Sequence, residues 1–186
     1  MRWQEAAVAI TGLIGLALGA TQALAQAAYD FEARFGLFGQ LVGSDTDRTD
    51  PLYAHGEVLF PTIGRGSANP IVDFFLTPRP HVGATLGLGD GVNQAFAGLT
   101  WDLPITQAIR FEASFGGTVH DGETGIGNSD SPELGCSVLF RESAAINVSV
   151  TRRMTVTAMI DHSSNAGLCD QNDGITHAGL LLGVTF

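Results

Sequence analysis

The sequence lacks lysine altogether. All nine of its basic residues are arginine, against 19 Asp and Glu, which gives a formal net charge of −10 at pH 7. Binding to nucleic acid through the phosphate backbone needs a basic surface, so the charge excludes nucleic acid as a partner. The chain also lacks a low-complexity linker and a clear internal repeat, which indicates a single domain.

The N-terminus has the pattern of a secretory signal. Arg2 precedes an apolar run, Ala6–Ala20, and Ala23–Ala25 then offers small residues at cleavage spacing. The pattern predicts a cleaved signal peptide over residues 1–25. An N-terminal membrane anchor is the alternative, because no charge occurs from Ala6 to Tyr29, although the run falls short of the ~20 strongly apolar residues of a spanning helix.

Alternation of apolar and polar residues recurs along the rest of the chain, whereas helical periodicity of useful length is absent. Turn-forming clusters rich in Gly, Asp, Ser and Pro separate the alternating segments. These clusters are 43–50, 64–70, 89–91 and 121–132. The alternating segments are 31–41, 52–60, 81–88, 95–103, 109–120, 134–150, 154–164 and 176–186. The pattern therefore predicts about eight strands.

The polarity of the two strand faces favours a membrane barrel over a water-soluble sandwich or barrel. One face of nearly every predicted strand is charged or polar, which suits a polar lumen. Its charged residues include Glu32, Arg34, Arg110 and Glu112. The last strand alternates apolar residues up to the aromatic Phe186, which resembles the C-terminal signature of outer-membrane barrels. We predict that residues 26–186 form an all-β, eight-stranded antiparallel transmembrane barrel in the bacterial outer membrane, too narrow for an open pore.

One predicted strand carries two polar residues on its apolar face. In 154–164 the even positions up to Ile160 are apolar and should touch lipid, and the same face continues into His162 and Ser164. Residues two apart in a strand share a face and lie roughly 6.5–7 Å apart at Cα. At this separation the imidazole nitrogen of His162 could reach the hydroxyl of Ser164, as a catalytic base reaches its nucleophile. The alternative is a pair of polar residues at the outer rim, where the cost of facing lipid is small.

These residues also carry a resemblance to a known family. The segment His162–Leu168, followed by Asn172–Gly174 and the final strand, resembles the lipid A 3-O-deacylase family of Gram-negative outer membranes, with a weaker similarity over Leu139–Glu142. The family is an eight-stranded barrel with a lipid-facing site that removes the ester-linked acyl chain at the 3 position of lipid A. The resemblance implies an esterase acting on lipid A, or lipopolysaccharide, with no metal and no organic cofactor.

Five positions take roles from this resemblance. His162 matches the general base and Ser164 the nucleophile. Asn165 and Gly167 match positions that shape the oxyanion hole, and Asn172 matches a further Asn of the family motif. Ester cleavage requires such a set: an activated serine, a base for its proton, and donors for the developing oxyanion.

One position departs from the family. Thr176 stands where the family has a glutamate, on the apolar side of the last strand, so it should face His162 without supplying charge. Because of this departure, a non-catalytic structural or adhesive barrel is the alternative to an esterase. An esterase that acts on phospholipids or another acyl glycolipid is a further possibility.

Glu142 is a candidate for the missing acid. A hairpin turn through 151–153 that matches the two apolar faces places Glu142 opposite His162 on the outer face. The acid of such a site orients the imidazole, and its position in the chain is not fixed. The alternative is a charge pair of Glu142 with Arg141 or Arg152.

The two cysteines favour a disulfide over a metal site, because an exported protein folds in an oxidising compartment. Cys136 lies at the outer start of one predicted strand, and Cys169 lies in the loop after Ser164. A disulfide between them would hold the active-site loop, at a gain of about 3–4 kcal/mol in the chain-entropy model.

Overall fold

The computed structural model describes residues 31–42, 51–125 and 132–186. The predicted signal peptide, the turn cluster 43–50 and the middle of the cluster 121–132 lie outside the described residues. Eight strands fall within or close to the predicted segments. They are β1 (Glu32–Val42), β2 (Leu52–Leu59), β3 (Arg79–Gly87), β4 (Gln94–Pro104), β5 (Ile109–His120), β6 (Val138–Ser149), β7 (Met154–Ser164) and β8 (Ile175–Thr185).

The sheet closes on itself. Each strand pairs antiparallel with its neighbours in the chain, and β8 pairs back with β1. Closure gives every strand a hydrogen-bonding partner on both sides, which the water-free interior of a bilayer requires. The predicted eight-stranded antiparallel barrel is therefore confirmed.

The two ends of the barrel differ in their connections. One end carries the four-residue turns 105–108 and 150–153, together with the start of β1 and the end of β8. The longer connection 60–78 also lies at this end, whereas β5 is joined to β6, and β7 to β8, at the opposite end. Short turns of outer-membrane barrels face the periplasm and longer loops the exterior, so β7 runs outward and ends at the extracellular rim.

Paired charges fill the periplasmic half of the lumen. Arg34 donates to Glu112 over 2.6 Å and to Glu32 over 3.0 Å, and Arg110 contacts both carboxylates over 2.9 Å. The side chains of these four residues are at most 5% exposed. An unpaired charge is costly in such a site, so the reciprocal pairing is what allows these residues to lie inside.

The outer wall is apolar. Phe35, Phe115 and Leu180 are 57%, 53% and 63% exposed, and many other large apolar side chains share this wall. Soluble monomers rarely expose continuous apolar patches of more than a few hundred Å², whereas a lipid-facing wall has this character. The water-soluble alternative is therefore wrong.

The connection between β2 and β3 contains a helix that the sequence does not predict. Helix α1 (Pro70–Leu76) begins at the last residue of the segment 64–70, in which the pattern indicates only a turn. The side-chain oxygen of Asn69 accepts the N–H groups of Ile71 (3.0 Å) and Val72 (3.3 Å), which caps the helix. A helix of two turns is too short to show periodicity. Within the described ranges, no helix is long and apolar enough to cross a membrane.

Candidate active site

His162 and Ser164 lie on the outward face of β7, at its extracellular end, as the alternation predicts. Both side chains are half-buried, whereas their neighbours Asp161 and Ser163 are buried in the lumen. His162 and Ser164 therefore face the membrane, and Asp161 and Ser163 face the barrel interior.

The His162 ring is held from the β8 side. Thr176 lies directly opposite His162, and its Oγ1 is 2.8 Å from His162 Nδ1. Gly174 packs against another edge of the ring, because a Cβ added there would lie 2.9 Å from Cε1 and 3.4 Å from Nε2. Gly174 has a φ of +68°, a conformation that favours glycine. Nδ1 therefore points to Thr176, and the Cε1–Nε2 edge lies against the extracellular loop.

Glu142 occupies the predicted register position, opposite His162 on β6. It is exposed, and among the described residues it forms neither a hydrogen bond nor an ion pair. Among the described residues, Glu142 forms no charge pair with Arg141 or with Arg152. Arg141 points into the lumen, where it contacts Asp161 over 2.7 Å, and Arg152 lies in the turn at the other end of the strand.

The Asn165 side chain holds the loop between β7 and β8. Its Oδ1 accepts the N–H of Gly167 and its Nδ2 donates to the carbonyl of Leu134, each over 2.8 Å. The N–H of Asn165 donates in turn to Asn172 Oδ1, also over 2.8 Å. The N–H groups of Asn165 and Gly167 are thus engaged inside the loop, and these residues set its shape.

The N–H of Ala166 and Nδ2 of Asn172 are among the loop donors that have no hydrogen-bond partner within the described residues. Because Asn172 Oδ1 accepts the Asn165 N–H, Nδ2 turns away from that contact. Ala166 has a φ of +54°, which is uncommon for a residue with a side chain. Nothing in the sequence distinguishes Ala166 from its neighbours, so the alternation pattern does not predict this donor.

The predicted disulfide is present. Cys136 and Cys169 are joined, with their Cα atoms 6.0 Å apart, so the segment before β6 is linked to the loop after β7. Leu134, Leu139 and Ile175 form a buried cluster that packs against Cys136. The loop is therefore fixed both covalently and by packing.

An apolar depression of about 330 Å³ lies between β5, β6 and the loop after β7, and Asn165, the residue after Ser164, is part of its lining. Phe140, directly opposite Ser164 in the β6–β7 register, forms part of its lining. Phe115 stacks on Phe140 with ring centroids 6.0 Å apart, and Leu168 of the active-site loop completes one side. The lining is mostly apolar, which is the polarity that a hydrocarbon chain requires.

Comparison with known proteins agrees with the fold and with the family resemblance. The sequence profile of the lipid A 3-O-deacylase family (PagL) matches residues 105–185. The resemblance to this family is confirmed. The crystal structure of the outer membrane enzyme PagL superposes with a TM-score of 0.58 at 19% identity, covering 84% of this chain and 99% of that one. Among curated sequences, none matches the chain significantly.

Two further solved structures share the fold. Neisserial surface protein A superposes with a TM-score of 0.58 at 10% identity, covering 84% of this chain and 97% of that one. The N-terminal β-barrel domain of Pseudomonas aeruginosa OprF gives a TM-score of 0.52 at 13% identity, with 83% and 97% covered. With the apolar outer wall and the family match, these likenesses identify a bacterial outer-membrane barrel.

The span that matches the deacylase family contains every candidate site residue. It extends from the turn before β5 to the end of β8. Within it, the Thr176 hydroxyl is the group that contacts His162 Nδ1. The contact on this side of the ring is therefore a neutral hydrogen bond.

Proposed function

We propose that this barrel is an outer-membrane esterase that hydrolyses the ester-linked acyl chain at the 3 position of lipid A. The observation that carries the proposal is the position of His162 and Ser164 on the lipid-facing wall at the extracellular rim, beside an apolar depression. An ester at the boundary between headgroup and acyl chains would meet the two side chains there. The match to the lipid A 3-O-deacylase family supports the same substrate class.

The reaction uses Ser164 as nucleophile and His162 as base. Ser164 Oγ attacks the ester carbonyl carbon as His162 Nε2 takes the hydroxyl proton. Collapse of the tetrahedral intermediate breaks the bond to the sugar oxygen, which leaves with the proton from Nε2, and the acyl group remains on Ser164. Water then attacks this ester, Nε2 accepts its proton and returns it to Ser164, and the free fatty acid departs.

Thr176 positions the base in this scheme. Nε2 can accept a proton only in the tautomer that carries its proton on Nδ1. The Thr176 hydroxyl oxygen, 2.8 Å from Nδ1, can accept that hydrogen bond. Thr176 thereby orients His162, as the carboxylate of a triad does, without the charge.

The loop after Ser164 supplies the oxyanion donors. The candidates are the N–H of Ala166, two residues after Ser164, and Nδ2 of Asn172, and neither donor has a hydrogen-bond partner within the described chain. Asn165 and Gly167 hold the loop in place through their mutual hydrogen bond. Donors fixed before the reaction stabilise the oxyanion most effectively, since they need no reorganisation.

Glu142 contributes through charge alone. It flanks His162 from β6, on the side opposite Thr176, and makes no hydrogen bond to the ring. Its carboxylate favours the imidazolium that forms during the reaction. Because the side chain is exposed, this contribution is small.

Replacement of Ser164 by alanine tests the proposal. The barrel is purified, folded in detergent and incubated with lipid A, and mass spectrometry follows loss of the 3-position acyl chain. We expect turnover by the parent protein and none by Ser164→Ala. The matched control is Ser163→Ala, which removes the neighbouring hydroxyl from the lumen side and should leave turnover intact. Full turnover by Ser164→Ala would exclude the serine mechanism.

The departure at Thr176 favours one second candidate, a structural or adhesive barrel without catalytic activity. The same assay separates the two, since such a barrel would leave lipid A unchanged at every enzyme concentration. A parallel incubation with phospholipid distinguishes an esterase of different substrate class, which would release fatty acid there and not from lipid A.

A further inference from the structure

Helix α1 presents an apolar surface outside the barrel. Ile71, Val72, Phe75 and Leu76 are 70%, 43%, 65% and 51% exposed. The one charged residue of the helix, Asp73, is engaged, because its Oδ1 accepts the N–H of Ser67 over 2.8 Å. The helix thus offers four large apolar side chains and no free charge.

The helix lies against the lipid-facing wall rather than beneath the lumen. Trp101 belongs to the outward face of β4, between the lumen-facing Thr100 and Asp102. Its Nε1 donates to the carbonyl of Phe75 over 3.4 Å. The contact occurs three residues before β4 ends at Pro104, near the periplasmic rim.

The connection that carries the helix is folded against itself. The N–H of Ile63 donates to the carbonyl of Pro78 over 2.9 Å, and the Thr77 hydroxyl donates to the carbonyl of Asp73 over 2.6 Å. Gly64, with a φ of +97°, approaches the carbonyl of Leu76 so closely that a Cβ would overlap it. These contacts hold the apolar side chains in their outward position.

We propose that α1 is an interfacial anchor whose apolar side chains enter the phospholipid leaflet on the periplasmic side of the outer membrane. Its exposed surface continues the apolar wall, since the next outward residue of β4 after Trp101 is Leu103, 48% exposed. Tryptophan is enriched where a barrel wall meets the membrane–water interface. A helix with an apolar surface at that level lies in the plane of the interface with its side chains among the acyl chains.

An environment-sensitive fluorophore on the helix tests the anchor. The chain has two cysteines, both in the disulfide, so one introduced cysteine can be labelled selectively. The label is placed by Phe75→Cys and compared with Leu180→Cys on the lipid-facing wall and Thr124→Cys on the exposed extracellular connection. Each protein is folded into phosphatidylcholine–phosphatidylglycerol vesicles, with and without brominated acyl chains.

We expect the label at position 75 to emit at short wavelength, to be quenched by brominated lipid as the label at 180 is, and to resist aqueous iodide. The label at 124 should show the opposite pattern. Ile71→Cys provides a second position, and heat-modifiable migration on gels verifies that each variant is folded. Iodide quenching at both 71 and 75, equal to that at 124, would overturn the proposal. So would a dimer cross-linked through position 71 or 75, which would assign the surface to a second copy.

Discussion

Replacing Thr176 by valine removes a single oxygen beside His162 and preserves the shape of the side chain. In the proposed mechanism, Nδ1–H of His162 donates to that oxygen over 2.8 Å, and the ring gains a positive charge as it takes the proton of Ser164. A hydrogen bond to a charged group contributes about 1.5–3 kcal/mol. That range corresponds to about a 10- to 150-fold change in rate. We expect kcat of Thr176→Val to fall by this factor.

The assay follows fatty acid released from lipid A in detergent micelles and separates kcat from KM. KM should change little, because Thr176 contacts the ring of His162 and the depression that would hold the acyl chain lies on the β5–β6 side. Thr176→Ser keeps the hydroxyl and should stay near the parent rate. Thr185→Val makes the same chemical change on the lumen side of β8 and serves as the matched control.

An unchanged kcat in Thr176→Val would refute the positioning role of this hydroxyl. A loss of heat-modifiable migration in the variant would instead indicate a folding effect. In that case the kcat of Thr176→Ser, which keeps the hydroxyl, tests the positioning role. Thr176→Glu, which restores the acid of the family pattern, should raise the rate and should recover part of the activity that Glu142→Gln loses.

Three further outcomes follow from the geometry. Ser164→Ala and His162→Ala should each abolish deacylation while the barrel still folds. The double variant should be no less active than either single variant, because nucleophile and base act as a unit. Additive losses of activity in the double variant would contradict this. Glu142→Gln should lower kcat only a few-fold, since an exposed charge contributes about 0.2–1 kcal/mol, and full activity would remove its charge from the mechanism. Replacing Cys136 and Cys169 by alanine should lower the free energy of unfolding by about 3–4 kcal/mol. Urea titration of the protein in vesicles measures this difference. An unchanged urea midpoint would show that the disulfide contributes nothing to stability.

The barrel itself could be predicted because its pattern has a period of two. A slip of one residue would turn every lumen side chain to lipid, so the alternation determines the face of each strand and much of the register. The pairing of Glu142 with His162 followed from matching two apolar faces across a four-residue turn. Helix α1 could not be found in this way, because seven residues give too few repeats for a helical pattern to stand out from a turn.

For the site, the sequence could predict which face of the barrel each residue occupies and which residue lies opposite it on the next strand. Alternation placed His162 and Ser164 on the outer wall and Thr176 beside His162. It did not reveal which loop donors remain free, since that depends on the hydrogen bonds of Asn165 and on the left-handed backbone of Ala166. An alanine has no intrinsic preference for that conformation, so only the assembled loop defines it.

The same alternation explains how position 176 can vary without damage to the fold. On β8, Ile175 and His177 flank Thr176 and are both fully buried, the first in the cluster under the disulfide and the second against Asp161 over 2.9 Å. Thr176 itself faces outward, and the hydrogen bond that its side chain makes within the described residues is to the ring of His162. Stability therefore depends on the residues on either side of Thr176, whereas the proposed mechanism uses the residue between them. A substitution at this position should alter the rate of the reaction while the barrel remains intact, so turnover, rather than folding, is the property that reveals what Thr176 contributes.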